Sequence, residues 1–319
     1  MKSSLAIFRC GFLLLAVVIV SRAAWAAPLA TLRIATYNVA NMFDRYDDPY
    51  TEDSVPARGT SPKSARALYA LARVIKAVNA DVLLLQEVEN RNFLAEFNAA
   101  YLDGLNYKYV VLLEGNNSHI GDRGIDVALL SRVPVYSATT YQYQQHPLPN
   151  GTSVRFSRDL LHVRIRPEGF PELHVFTLHA PSRLGGEAAA VRRITEATLA
   201  AKILREIFAD NTNAWILVGG DFNDDETSAS LAVFTSIPGV PLRRVPAVDA
   251  RGGTATWISP SSGFEPATLD HLLLSPAAAR YLVQKHAVIW NADPRLAEEA
   301  SDHRPVYLDL RRPTRVLAK

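Results

Sequence analysis

Short apolar runs recur along almost the whole chain, each only a few residues long, and many are flanked by Asn, Asp, Glu or His. Runs this short and this frequent, alternating with helical patterns, read as strands. Residues 32–39, 81–86 (with Val82-Leu83-Leu84-Leu85 at its centre), 108–113, 125–131, 160–165, 173–178, 215–218, 269–274, 287–290 and 305–310 read as strands. Between them, Leu68, Leu71, Ala72, Ile75 and Val78 fall at helical spacing, which predicts an amphipathic helix over 64–78, and a second helix is expected over 187–209. Gly, Pro and polar residues gather at 44–62, 115–124, 141–157, 228–255 and 291–303, which read as loops. Two or three strong helices among so many strands suggest a strand-rich, layered α/β domain spanning residues 29–317.

The placement of the polar residues constrains function. Asn38 ends the first strand, Glu87 lies just past the second, His179 closes 173–178, and Asp221 and Asn223 follow 215–218 across Gly219-Gly220. Asp126 and Asp270 instead begin their strands, and Asp302 and His303 stand immediately before the last one. If the two groups of strands run antiparallel, the ends of one set and the starts of the other share one edge, and carboxylates, amides and imidazoles converge on a single cleft. Each residue alone has a bland explanation, as a turn, a cap or an exposed charge. Chance placement of the right type at every position is a different matter, and Gly220-Asp221-Phe222-Asn223 and Ser301-Asp302-His303-Arg304-Pro305 are the most specific segments.

Residues 1–26 read as a secretory signal peptide: Lys2 and Arg9 precede a wholly apolar stretch over 11–20, and Ala24-Trp25-Ala26 fits a cleavage site. The stretch is too short for a hydrocarbon core that needs about 20 residues. The mature chain is therefore expected to be exported, periplasmic or secreted, a monomer with no stable membrane insertion. The only cysteine, Cys10, lies in the removed segment, so disulfides and cysteine-based metal sites are excluded afterwards. Of 34 basic residues, Lys2, Arg9 and Arg22 also leave, giving 31 basic against 32 acidic and a net charge of −1. A near-neutral chain binds nucleic acid only through a local patch.

In order along the chain, Ala35-Thr36-Tyr37-Asn38-Val39, Leu85-Gln86-Glu87-Val88, Gly124-Ile125-Asp126-Val127-Ala128-Leu129-Leu130-Ser131, Thr177-Leu178-His179, Gly220-Asp221-Phe222-Asn223, Leu269-Asp270-His271 and Ser301-Asp302-His303-Arg304-Pro305 resemble the landmarks of the endonuclease/exonuclease/phosphatase superfamily, the deoxyribonuclease I-like proteins. The resemblance implies a four-layer α/β sandwich, two mixed β-sheets packed face to face with helices outside. It implies a metal site at Asn38, Glu87 and Asp302. Asp221 would orient or deprotonate the attacking water, and Asn223 would hold the water or the phosphate. His303 would be the catalytic imidazole with Asp270 as its carboxylate partner, and His179 a phosphate-contacting histidine. At the substrate it places Arg123 as a phosphate contact and Asp126 in a supporting hydrogen-bonding role. Oxygen-only ligands suit Mg²⁺ or Mn²⁺ better than Zn²⁺. The continuation after His179, Ala180-Pro181-Ser182-Arg183, departs from the Lys-rich run of many bacterial relatives, with Arg183 as the substitute charge.

No Ser sits in a Gly-x-Ser-x-Gly context and no Gly-rich loop ends in Gly-Lys-Ser/Thr, so serine-hydrolase and P-loop chemistry lack their signatures. The leading expectation is a nuclease on DNA or RNA, using Arg45, Arg58, Lys63, Arg66, Arg123 and Arg243-Arg244 for charge and Tyr46, Tyr50, Tyr141 and Tyr143 for stacking. The alternatives are a phosphodiesterase or phosphatase on a lipid headgroup (sphingomyelinase-like) or small phosphoester, and a binding protein that has lost the chemistry. The full polar set argues against the last.

Overall fold

The structure, a computed structural model, describes residues 29–46, 61–116, 123–147, 151–259 and 263–314. The signal peptide, Cys10, Tyr50 and Arg58 lie outside the described residues. Along the chain run β1 (Thr31–Met42), α1 (Ala65–Val78), β2 (Val82–Val88), α2 (Arg91–Tyr101), β3 (Tyr109–Leu112), β4 (Asp126–Ser131), β5 (Val135–Thr139), β6 (His146–Pro147), β7 (Ser153–Val154), β8 (Leu160–Ile165), β9 (Leu173–His179), α3 (Gly186–Asp210), β10 (Trp215–Asp221), α4 (Ala229–Thr235), β11 (Arg243–Arg244), β12 (Ala247–Val248), β13 (Asp270–Leu274), α5 (Pro276–Ala279), β14 (Ala287–Ile289), α6 (Pro294–Ala300) and β15 (Val306–Arg311).

Seven strands form one mixed sheet in the order β12-β14-β15-β1-β2-β4-β3, and six form a second in the order β11-β13-β10-β9-β8-β5. Alternation along the strands explains the layering. Val82 and Leu84 of β2 join Leu32, Val127 and Leu129 in a core shared with Leu161, Val175, Leu217 and Leu272 of the other sheet. Leu83 and Leu85 point the other way, onto Leu71, Ile75 and Phe97 of α1 and α2. Phe176 and Val218 likewise carry the second sheet's outer face onto Leu204 of α3 and Leu231 of α4. The order is thus helix, sheet, sheet, helix, the four-layer sandwich expected, with each core Leu worth about 2–5 kcal/mol against Ala.

Local chemistry fixes the boundaries. Ser64 Oγ accepts from Ala67 N at 3.1 Å to start α1, and Asn79 in the left-handed region at φ 52° ends it. Helices were undercounted by the sequence reading, because α2, α4, α5 and α6 are short and buried on few residues. The stretches expected as loops at 141–157, 228–255 and 291–303 contain β6–β7, then α4 with β11 and β12, then α6. Their two-residue strands are too brief for a periodicity to register.

Strand direction creates the site. β1 runs parallel to β2, while β15 and β4 run antiparallel to them. β9 and β10 are parallel and β13 is antiparallel to β10. C-terminal ends of β1, β2, β9 and β10 therefore meet N-terminal starts of β4, β13 and β15 at one end of the sandwich. In the second sheet Asp221 is paired in register with both His179 and Asp270. Gly220 makes that register possible: its φ is 152°, and a Cβ there would lie 2.1 Å from the Leu178 carbonyl oxygen.

Candidate active site

Oδ2 of Asp221 is the centre of the site. It accepts from Asn38 Nδ2 at 3.0 Å and Asn223 Nδ2 at 3.3 Å. Two imidazole nitrogens face the same oxygen, His179 Nε2 at 3.5 Å and His303 Nε2 at 3.7 Å. The Asn38 contact ties the two sheets together, since Asn38 is on β1 and Asp221 on β10. Asn38 Nδ2 also reaches Glu87 Oε1 at 3.3 Å. Glu87 occupies a bulge in β2 at φ 65°, and Ala40 and Asn41 are left-handed as well. Three non-glycine residues in that region mark a strained rim, of the kind that clusters at functional sites. The rim is braced: Asn41 N donates to Glu87 Oε2 at 2.8 Å, Arg123 bridges Asn41 and Glu87, and Lys63 Nζ donates to the Ala40 carbonyl at 2.9 Å.

His303 is held from behind. Its Nδ1 lies 2.8 Å from Asp270 Oδ2, and its backbone N–H donates to Ser301 Oγ, which in turn donates to the Asn38 carbonyl. Buried Thr256 Oγ1 accepts from the backbone N–H groups of Leu269 and Asp270 at 2.9 and 3.0 Å, fixing the start of β13. Asp302 Oδ2 accepts from Trp257 Nε1 at 3.0 Å.

The charges divide unequally. Burial would lower His303, but Asp270 and Asp221 outweigh it and push the imidazole up to about 10. His179 goes the opposite way, held well below its usual value by burial and by the cations Arg158, Arg123 and His303. Burial raises Asp221 to about 7, against the opposing pull of His303. At neutral pH the site thus holds one cationic imidazole, one neutral imidazole and a carboxylate poised to accept a proton, the separation of roles that acid–base chemistry needs.

A cleft of about 440 Å³ opens onto this group. Glu87, Arg123, His179, Asp221, Asn223, Asp302 and His303 line it, with Asp270 directly behind His303. Asp126 is not among the lining residues; it is buried, accepts from Gly115 N at 2.9 Å, and is raised well above a normal carboxylate by burial and by Glu114. It does not line the cleft, and its hydrogen bond to Gly115 N is of the supporting kind expected of it. Arg66 pairs with Glu299 and Arg244 with Glu226, Arg45 stacks on Tyr46, and Tyr141 packs on the α3 side; none of these lines the cleft.

Three lining residues carry no sequence signal strong enough to single them out. Arg158 stands just before β8 and is 8% exposed, with its Nε unpartnered and one guanidinium nitrogen on the Ala180 carbonyl at 3.4 Å. A buried guanidinium with no carboxylate in ion-pair range keeps its charge uncompensated beside the cleft. Trp257 and Phe264, also lining the cleft, set tilted rings 6.5 Å apart. The one hint was the tripeptide Ser157-Arg158-Asp159, charged residues abutting an apolar strand.

The donor set fits a hard cation. Glu87 and Asp302 offer carboxylate oxygens, and both bear on Lys63, whose ammonium burial lowers to about 8 against their attraction. Asn38 turns its Nδ2 to Glu87 and Asp221 while its Oδ1 accepts from Ala40 N at 3.0 Å, so it would join them as an oxygen ligand only with that amide turned. Among the described residues, Asp221, Asp270 and His303 also bring three ligand atoms within 4.8 Å of one another.

A family described as "Endonuclease/Exonuclease/phosphatase family" matches residues 33–236. No curated protein matches the chain. Among solved structures, an endonuclease/exonuclease/phosphatase from Bacteroides vulgatus superposes with TM-score 0.60 at 19% identity, covering 89% of this chain and 99% of that one. The human Nocturnin catalytic domain gives 0.59 at 18% identity, with 89% and 95% covered, and truncated TDP2 of Caenorhabditis elegans gives 0.56 at 18%, with 88% and 98% covered. With the matched segment spanning more than half its length and the same sandwich underneath, the chain belongs to the endonuclease/exonuclease/phosphatase family of phosphoester hydrolases.

Proposed function

We propose that the protein is an exported, divalent-metal-dependent phosphodiesterase whose substrate is a nucleic acid, DNA or RNA. The observation that carries this reading is Asp221 Oδ2 held between two imidazole nitrogens, His179 Nε2 at 3.5 Å and His303 Nε2 at 3.7 Å. Asp221 takes the proton of the attacking water, a service worth roughly 10²–10⁴-fold. Asn223 keeps Asp221 aimed: its backbone N–H donates to Asp221 Oδ1 at 2.8 Å. His303, cationic and oriented by Asp270, faces the phosphate, and His179 presents an N–H to it. Arg158 and Arg123 bind non-bridging oxygens. Asn38, Glu87 and Asp302 would hold a divalent cation, Mg²⁺ or Mn²⁺, which when bound would neutralise charge on the phosphate and leaving oxygens.

Nucleic acid is favoured by the pairing of these cations with Trp257 and Phe264, since base stacking on such rings contributes about 1–3 kcal/mol per base. A lipid headgroup is the second reading, favoured by two apolar side chains at the cleft mouth, Leu184 at 79% and Phe264 at 59% exposed. Hydrolysis of plasmid DNA, RNA and sphingomyelin liposomes is compared under one Mg²⁺ or Mn²⁺ condition. Nucleic-acid cleavage abolished by EDTA, and lost in Asp221→Ala and His303→Ala, supports the proposal; activity undiminished in those variants ends it. N-terminal sequencing of exported protein is expected to begin at Ala27.

A further inference from the structure

His179 also lines a much smaller cavity of about 20 Å³, whose other lining residues differ from those of the cleft. Every residue around it is buried, including Asp159 before β8, His179, and Arg193, Glu196 and Ser230 from α3 and α4. One water needs at least about 10–15 Å³, so the space admits one and not two. The polar accounts of its walls close except at two atoms. Arg193 donates to Asp224 and the Pro181 carbonyl, Glu196 accepts from Ser157 and Arg192, and Ser230 donates to Asp224. His179 Nδ1 and Asp159 Oδ2 are left with no hydrogen-bond partner.

Both of these atoms are acceptors. His179 Nε2 confronts carboxylate oxygens only, Asp221 Oδ2 at 3.5 Å and Glu87 Oε1 at 3.9 Å, so the ring proton belongs on Nε2 and Nδ1 is bare. The other oxygen of Asp159 is already engaged by Tyr141 N at 2.8 Å. Two unsatisfied acceptors on residues around one small cavity would each cost about 1–3 kcal/mol. A water molecule, with two O–H donors, satisfies both at once.

We propose that this cavity is a structural water site in which one water donates to His179 Nδ1 and Asp159 Oδ2, making Asp159 a positioning residue that locks His179 in its Nε2–H tautomer. The His179 N–H then points permanently into the cleft, toward the place a phosphate oxygen would take. The consequence for catalysis rests on the phosphoesterase reading; the tautomer does not, and is measured without substrate.

Long-range ¹H–¹⁵N correlation spectra of the full mature protein are expected to show His179 with Nε2 protonated and Nδ1 unprotonated. A high-resolution crystal structure is expected to show one water within reach of both atoms. A protonated Nδ1, or direct contact of His179 with Asp159, overturns the proposal. Ala197 also lines the cavity, so Ala197→Val excludes the water while sparing both polar residues. It is expected to leave KM unchanged, lower kcat about tenfold and give a mixture of His179 tautomers, whereas Asp159→Asn, whose amide still engages the water, keeps the wild-type signature. An unchanged tautomer and kcat in Ala197→Val also overturns it. A protein inactive on every phosphoester but carrying the locked tautomer refutes the proposed function and leaves the water site standing.

Discussion

His303 Nδ1 sits 2.8 Å from Asp270 Oδ2, and Asp270 is fully buried at the first position of β13. A fully buried carboxylate against one face of an imidazole makes that ring a cation at neutral pH, and it points the remaining N–H at Asp221 and the cleft. The His–Asp pair therefore acts as a fixed positive charge, without a serine to activate.

Asp270→Asn removes the largest upward push on His303. The wild-type enzyme needs Asp221 ionised and His303 protonated, so activity is lost as pH falls through about 7 and as it rises through about 10. In the variant the alkaline limb moves toward the ordinary histidine value of about 6.5, the plateau collapses, and kcat/KM at its best pH drops by roughly 10²–10⁴. A kcat/KM profile from pH 5 to 11 measures this. An alkaline limb that stays in place would assign it to another group.

Arg158 separates binding from stability. Its burial pulls the guanidinium below its usual value, and the neighbouring carboxylates Glu87, Glu196 and Asp221 offset this only at a distance. Arg158→Met keeps the length of the side chain and removes an unpaired buried charge, so the melting temperature is expected to hold or rise. Loss of a preorganised donor to a charged phosphate costs about 3–4 kcal/mol in kcat/KM, roughly 10²–10³-fold. Thermal melts alongside kinetics test the pair of outcomes; a parallel fall in both would make Arg158 structural.

How much of this was legible beforehand depends on range. That His179 and Asp221 close their strands could be read because a strand boundary is a local event, and so could a strand-rich layered domain, whereas the two packed sheets followed only from the family resemblance. Asn38 lies inside β1, which runs on to Met42. Glu87 was placed just past its strand and is inside it, because a bulge at φ 65° lets the chain bend without ending the ladder. Arg158, Trp257 and Phe264 were missed for a different reason. Their importance lies in what they lack or face in three dimensions, a partner for a guanidinium and a ring across a cleft, and neither leaves a spacing in the sequence. Asp126 looked like a site residue by position, yet it is buried and engages Gly115 N and Glu114, just after β3.

His162 controls acid stability far from the cleft. It stacks on Phe176 at 4.1 Å and faces His174 Nδ1 at 3.0 Å, and burial, then His174 and Arg164, lower it to about 3. A depressed histidine is neutral when folded but takes a proton when unfolded below about 6.5, so its contribution is present above that pH and lost as pH falls toward 3. Denaturant titrations at pH 7 and pH 4 are expected to show His162→Phe losing about 3 kcal/mol less than wild type over that interval, at about 1.4 kcal/mol per pH unit. Equal losses would move the acid sensitivity elsewhere.

Gly219 and Gly220 make a matched pair for the last test. A Cβ on Gly219 meets side-chain tips, Leu272 Cδ2 at 2.7 Å and Leu84 Cδ1 at 2.8 Å, which can swing aside within the core. Gly219→Ala is expected to cost about 1–3 kcal/mol by overpacking and to leave kcat nearly intact. A Cβ on Gly220 meets the Leu178 carbonyl oxygen at 2.1 Å, a backbone atom one residue from His179 in the adjacent strand. That oxygen cannot move without opening the β9–β10 ladder, which is what sets His179 opposite Asp221. Gly220→Ala is therefore expected to cost more than about 3 kcal/mol and to cut kcat by at least about 10²-fold in whatever protein still folds, because a misplacement of about 1 Å at the reacting groups has that effect. Denaturation midpoints and kcat on the two variants decide it: equal behaviour would mean that the glycine pair serves packing alone.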